Sequence, residues 1–308
     1  MSNSTPPVSG ALSGRALNIP DVNVDVLTGG AVVNGAHDER FTPQQPPTGL
    51  YPDVRSFRRR FGLLIPATNT IMEHELWSLL VANGEAAGVD GVGLHTTPVI
   101  TPRPDISTPQ GVAEFRAGFL SGLEAAVQTA ALGRPQYMIM GLSLEHILLG
   151  LDPIRETMAA IQRLSDLSWA TWHDAVQAAL RLLGAKRIGI LTPFEAGGNA
   201  SATRMFNDMG IEVVASVGLT GTDLRHLAHI PDSAKEQAVI EVLATPANRL
   251  DAVVQCGTGM SMLNVIDRLE ARTGVPIVAI NPTTLWYALR ENGFGLPLHG
   301  AGRLLREF

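Results

Sequence analysis

Residues 188–200 read Ile188-Gly189-Ile190-Leu191-Thr192-Pro193-Phe194-Glu195-Ala196-Gly197-Gly198-Asn199-Ala200. A short, unbroken apolar run of this kind suits a strand covered on both faces, and the amphipathic stretch Asn199–Asp208 suits a helix packed beside it. The same pairing recurs on either side. Apolar runs at Gly62–Ile65, Val89–Leu94, Tyr137–Met140, Glu212–Ala215, Ala252–Val254 and Ile277–Ile280 read as further strands. Amphipathic stretches at Thr70–Leu80, Val112–Ala131, Asp152–Leu164, Thr171–Leu183, Ala234–Leu243, Met260–Arg272 and Thr283–Asn292 read as helices. Strands alternating with helices of this length imply an α/β fold with doubly wound parallel sheets. The series divides in the middle into two similar Rossmann-like halves, 56–167 and 168–282, with the C-terminal helical segment 283–308 returning to the first. Residues 1–55, with Pro6-Pro7, Pro43 and Pro46-Pro47, lack a sustained apolar period and read as an extended arm. Its pieces Val22–Val26 and Ala31–Val33 are expected to pair with a neighbouring subunit.

Composition narrows the function. The chain has 308 residues, 45% hydrophobic and 17% charged, with a net charge of -6, which argues against an electrostatic nucleic-acid binder. Arg55, Arg58, Arg59 and Arg60 form a local cluster that reads as a solvated edge. One cysteine, Cys256, permits neither an internal disulfide nor a thiolate zinc cage. The eight histidines lack metal-ligand spacing, and neither glycine-rich nucleotide motif is present. No metal and no nucleotide cofactor are expected. The N-terminal residues do not read as a signal peptide and no apolar stretch is long enough to cross a bilayer, so no membrane partner and a cytoplasmic location are expected.

In a doubly wound sheet, ligands bind beyond the C-terminal strand ends. Four strand-to-helix loops lie there: Pro66-Ala67-Thr68-Asn69-Thr70, Gly141-Leu142-Ser143-Leu144-Glu145-His146, Thr192-Pro193-Phe194-Glu195 and Cys256-Gly257-Thr258-Gly259. Their small, hydroxyl and amide residues suit a carboxylate, because backbone N–H groups can approach it closely. Cys256 reads as a small buried hydrophobe or, lying at a helix N-terminus, as a thiol whose thiolate is favoured by the helix dipole. Ser143 reads as a donor or as a helix N-cap, and Asn69 as a ligand or an Asx-turn. Thr192 and Thr258 offer loop hydroxyls and Gly257 a backbone N–H. His146 reads as a packed or solvated ring, or as an acid or base beside Ser143. Glu73 and Glu75 read as acidic residues of a helix's first turn, with a structural role.

These loops carry a family resemblance over about residues 61–292. Pro66-Ala67-Thr68-Asn69-Thr70-Ile71-Met72-Glu73 is similar to the P-x-S/T-N-T-x-M-E of maleate cis-trans isomerases, and Met140-Gly141-Leu142-Ser143-Leu144 resembles the M-G-T-S-L of arylmalonate decarboxylases. Arg187–Pro193 resembles the strand before a T-P-Y loop, and Cys256-Gly257, Asp267–Glu270 and Gly274-Val275-Pro276 continue the pattern. The chain thus resembles the Asp/Glu/hydantoin racemase superfamily, in the branch of these two enzymes. The resemblance implies a cofactor-independent enzyme acting on a small carboxylate, a site between the halves, and, together with the arm, a homo-oligomer. Racemases and isomerases of this superfamily use two cysteines. The first would fall at Gly141, where the decarboxylase also has glycine. The resemblance therefore implies a lyase in which a malonate-type carboxylate leaves, the enediolate is held by Ser143 and loop donors, and Cys256 protonates it. Asn69, Gly141, Leu142, Thr192, Phe194, Gly257, Thr258 and His146 would surround the substrate. Leu142 and Phe194 replace a threonine and a tyrosine of the decarboxylase, removing two hydroxyl donors, whereas Asn69 is an isomerase feature. An isomerase or racemase is accordingly the alternative, and a non-catalytic carboxylate-binding protein a third.

Overall fold

A computed structural model describes residues 31–33, 36–38, 55–102, 108–220 and 224–308. Two four-stranded, all-parallel sheets form the body. The first contains β3 (Arg59–Pro66), β4 (Val92–Val99), β5 (Tyr137–Met140) and β6 (Trp169–Thr171), in the order β4-β3-β5-β6. The second contains β7 (Arg187–Thr192), β8 (Glu212–Gly218), β9 (Ala252–Gln255) and β10 (Ile277–Ala279), in the order β8-β7-β9-β10. The two orders are the same, so each half places its first strand between its second and third. The inner strands carry the apolar runs read from the sequence: Phe61, Leu63, Leu64, Met138, Ile139, Ile188, Ile190, Val253 and Val254 are all buried.

The helices are α1 (Met72–Asn83), α2 (Pro109–Leu132), α3 (Leu144–Leu149), α4 (Leu151–Ser165), α5 (Trp172–Leu183), α6 (Ala196–Asp208), α7 (Asp232–Gln237), α8 (Ile266–Thr273), α9 (Ile280–Glu291) and α10 (Gly302–Glu307). α2 and α5 begin on threonines, Thr108 and Thr171, whose hydroxyls accept from Gly111 N–H and Asp174 N–H. α9 packs on β5, β6, α1 and α5, against the first sheet. The chain thus leaves the first half after α5, builds the second sheet and returns.

Several boundaries differ from the sequence reading. Trp169–Thr171 is a strand of the first sheet, paired with Met138–Met140, so that sheet extends past residue 167. Three residues after a polar helix end carry too little periodicity to announce a strand. The helix expected from Met260 begins only at Ile266, and residues 256–265 form a loop. Ala31–Val33 (β1) pairs antiparallel with Ala36–Asp38 (β2) of its own chain. The remainder of the expected arm, including Val22–Val26, lies outside the described residues. Among the described residues no helix is long and apolar enough to cross a membrane.

Candidate active site

A cavity of about 590 Å³ opens at the C-terminal strand ends of both sheets. Its polar end is built by the β3 loop (Ala67–Thr70), Ser143, and Gly257, Thr258 and Gly259 after β9. Its apolar wall is built by Val99, Ile100, Phe115, Leu148, Phe194 and Leu227, with Glu145 and Arg225 also lining it.

A chain of hydrogen bonds joins the halves at the polar end. Asn69 Nδ2 donates to Thr258 Oγ1 (2.9 Å), and Thr258 N–H donates to Ser143 Oγ (3.1 Å). The Asn69 carbonyl meanwhile accepts from the Ile71 and Met72 N–H groups at the start of α1 (2.9 and 3.1 Å). Asn69 therefore serves as both turn residue and cavity residue, because its amide has two different ends. Ser143 precedes α3 but makes no side-chain cap, and its hydroxyl is turned to the opposite half instead. The N–H groups of Gly257 and Gly259 have no protein acceptor among the described residues, and both glycines line the cavity. Two such amides lie at the same end of the cavity as the Ser143 and Thr258 hydroxyls, donors of a kind that suits a carboxylate.

Of the residues expected around a substrate, Asn69, Ser143, Phe194, Gly257 and Thr258 line this cavity; Gly141, Leu142, Thr192, His146 and Cys256 do not. Each of these five has a physical reason. Gly141 lies against β3, its N–H donating to Leu64 O at 2.7 Å. Leu142 is fully buried in the core. Thr192 Oγ1 donates to Asn199 Oδ1 (3.1 Å) and accepts from Phe194 N–H (3.2 Å), so it shapes the loop from behind.

His146 is fully buried between the rings of Phe119 and His173, and neither ring nitrogen has a partner. Burial, with a smaller contribution from His173, pushes its pKa down to about 3. A neutral ring enclosed in this way is a core residue rather than an acid or base. The unfolded chain takes up a proton on this ring below about pH 6.5, whereas the folded protein does so only near pH 3, so stability is intact above pH 6.5 and is lost as pH falls. His146→Leu, which removes the unpartnered nitrogens at similar volume, should raise the urea unfolding free energy by about 1–3 kcal/mol at pH 7. The advantage should grow by about 1.4 kcal/mol per pH unit between pH 6 and pH 4. Equal pH dependence in wild type and variant would contradict this account.

Cys256 departs furthest from expectation. No helix starts beside it, and it is fully buried, with its N–H donating to Leu191 O (2.9 Å). Burial pushes the thiol pKa far upward, the opposite of the dipole effect expected from sequence. The side chain is held as a neutral thiol, one residue from Gly257 at the cavity.

The cavity residues not read from sequence come mainly from the loop after β4, Ile100 to Pro102, from α2 and α3, and from the turn Leu224–His229. Reading the second strand as ending at Leu94, five residues before Val99, concealed the first of these. Among the described residues no group of three His, Cys, Asp or Glu side chains is arranged to hold a metal.

The sequence model of the arylmalonate decarboxylase family matches residues 119–305, well over half of the chain. The chain belongs to the arylmalonate decarboxylase family. Two characterised relatives frame this family member. It is 24% identical over 261 residues to the maleate isomerase of Nocardia farcinica, covering 81% of this chain and 96% of that protein. It is 26% identical over 151 residues to the arylmalonate decarboxylase of Bordetella bronchiseptica, covering 48% of this chain and 62% of that protein. Its fold matches the crystal structure of the maleate isomerase Iso from Pseudomonas putida S16 with a TM-score of 0.72 at 21% identity, over 81% of this chain and 98% of that one. Together these make the arylmalonate decarboxylase family member described here an enzyme of the decarboxylase or isomerase type.

Proposed function

We propose that this enzyme is a cofactor-independent lyase that decarboxylates a small malonate-type acid. The observation that carries this reading is the single buried cysteine, Cys256, directly before Gly257 at the polar end of the cavity. One substrate carboxylate would be held by Ser143, Asn69 and the Gly257 and Gly259 amides. The C–C bond to the other carboxylate breaks, CO₂ leaves toward the apolar wall, and the electron pair remains as an enediolate stabilised by the same donors. The enediolate carbon then takes the Cys256 proton, and water returns a proton to sulfur. Gly141 supports a one-sided reaction, because no second acid stands where the two-cysteine enzymes have one.

The second reading is isomerisation of a small unsaturated dicarboxylate by addition of the Cys256 thiolate to the double bond. Asn69 at the cavity favours it, and the relative in Nocardia farcinica carries that name. The upward-shifted thiol weighs against it, since addition needs the thiolate. Proton NMR in D₂O with alkyl- and arylmalonates and maleate distinguishes the two. Loss of one carboxylate with a single deuterium placed on one face is expected. Cis-trans conversion without carbon loss would transfer the case to the isomerase reading.

A further inference from the structure

The loop 256–265 supplies the cavity's polar wall yet belongs to no helix or strand. The buried peptide groups of such a segment must be satisfied from outside it. Gln255 Nε2 donates to Gly257 O (2.9 Å), and the buried Lys235 donates to Ser261 O (2.6 Å). The remaining partners converge on one carboxylate. Glu75 Oε1 accepts from Ser261 Oγ–H (2.7 Å), Met262 N–H (2.9 Å) and Leu263 N–H (2.9 Å). Its Oε2 accepts from Asn281 Nδ2 (2.7 Å), which also donates to Thr258 O (3.0 Å). Glu75 stands on α1 of the first half and is 1% exposed, so this is a buried carboxylate whose four partners are all neutral.

We propose that Glu75 is the positioning residue of the active site, fixing the loop of the second half from the first so that Gly257 and Thr258 keep their places at the cavity and Cys256 its place directly before them. Only an acceptor-only side chain satisfies four donors at once. Glutamine would turn an NH₂ group on either Asn281 or the three donors at Oε1, and aspartate is one methylene short. Through Asn281 the effect reaches Thr258, which is then held at its carbonyl by Asn281, at its N–H by Ser143 and at its hydroxyl by Asn69. Released from Asn281, the Gly257–Thr258 peptides are free to shift relative to Ser143, and misplacement of about 1 Å is enough to cost on the order of 10²-fold in rate.

The kinetic test rests on the proposed decarboxylation, whereas the exchange test does not. Amide hydrogen exchange on the folded protein should show Met262 and Leu263 exchanging at least tenfold faster in Glu75→Ala, which removes both acceptor oxygens, than in wild type, with Leu63 in β3 unchanged. With a turned-over malonate, kcat should fall about 10- to 100-fold with KM altered by less than threefold, and deuterium should appear on both faces of the product. Glu73→Gln, on the same helix but bonded to Thr96, should match wild type throughout. Asn281→Ala, which keeps the three bonds to Oε1, should reproduce the kcat loss without faster exchange at Met262 and Leu263, and it carries the test if Glu75→Ala does not fold. Unchanged exchange in folded Glu75→Ala overturns the proposal, as does faster exchange with unchanged kcat and unchanged facial selectivity. If wild type turns over no malonate, the decarboxylase reading fails separately.

Discussion

Cys256→Ala is expected to lower turnover by about 10²–10⁴-fold, the range for loss of a positioned general acid. The fold should survive. Cys256 is enclosed among apolar neighbours, and losing its sulfur should cost about 1 kcal/mol. The pH profile provides an independent check. Burial raises the thiol pKa, so the protonated, donating form persists through the range in which an ordinary thiol ionises. Wild-type kcat should therefore stay level between pH 7 and pH 9.5, and deuterium incorporation with it. A rate that climbs through pH 8–9 would mean that thiolate is the working form and that the isomerase chemistry is correct. Turnover unchanged in the variant would remove Cys256 from the reaction altogether.

Gly141→Ala should be strongly destabilising. A Cβ at this position would lie 2.7 Å from Leu64 O, 2.6 Å from Met72 Sδ and 2.9 Å from Ile65 Cγ2. The Met72 side chain is fully buried, and Leu64 belongs to the inner strand β3, paired on both sides. The same Leu64 carbonyl accepts the Gly141 N–H at 2.7 Å, so the loop cannot retreat without breaking that bond. Overpacking of this kind should cost about 3 kcal/mol, read as a lower urea midpoint at unchanged slope. A loss below about 0.5 kcal/mol would show that the β5 loop yields more readily than its contacts imply. Gly141→Cys meets the same contacts with a larger side chain, so a second thiol cannot simply be added at this position.

The sheets were legible because central parallel strands write themselves as continuous apolar runs. Tyr137–Met140 matches its strand end to end, and Ile188–Leu191 and Ala252–Val254 each fall short by one or two residues. What escaped was structure held by tertiary contacts. Met260, Met262, Val265, Ile266 and Leu269 carry helical spacing, yet the first three lie in a loop whose backbone partners come from Glu75, Lys235, Gln255 and Asn281. Periodicity records which residues are buried and is silent on which peptide groups find partners elsewhere. Missing that loop reversed the expected ionisation of Cys256, since the assumed helix end supplied the argument for a thiolate. Asn69, Ser143 and Thr258 were legible as polar loop residues, but their mutual bonds cross 189 and 115 positions of sequence and belong to the fold. His146 looked chemical because of its type, and burial without partners makes it inert.

The return of α9 to the first sheet sets an order of events for the nascent chain. β3 to β6 leave the ribosome first, but α9, which covers β5 and β6 and packs on α1 and α5, follows only after the whole second half. At about 5–20 residues per second, that interval lasts roughly 5–20 s. Throughout it, the surface that Leu285, Trp286 and Leu289 later seal stands open to water and to other nascent chains. Chaperone dependence should therefore centre on the first half, even though its own strands are complete early.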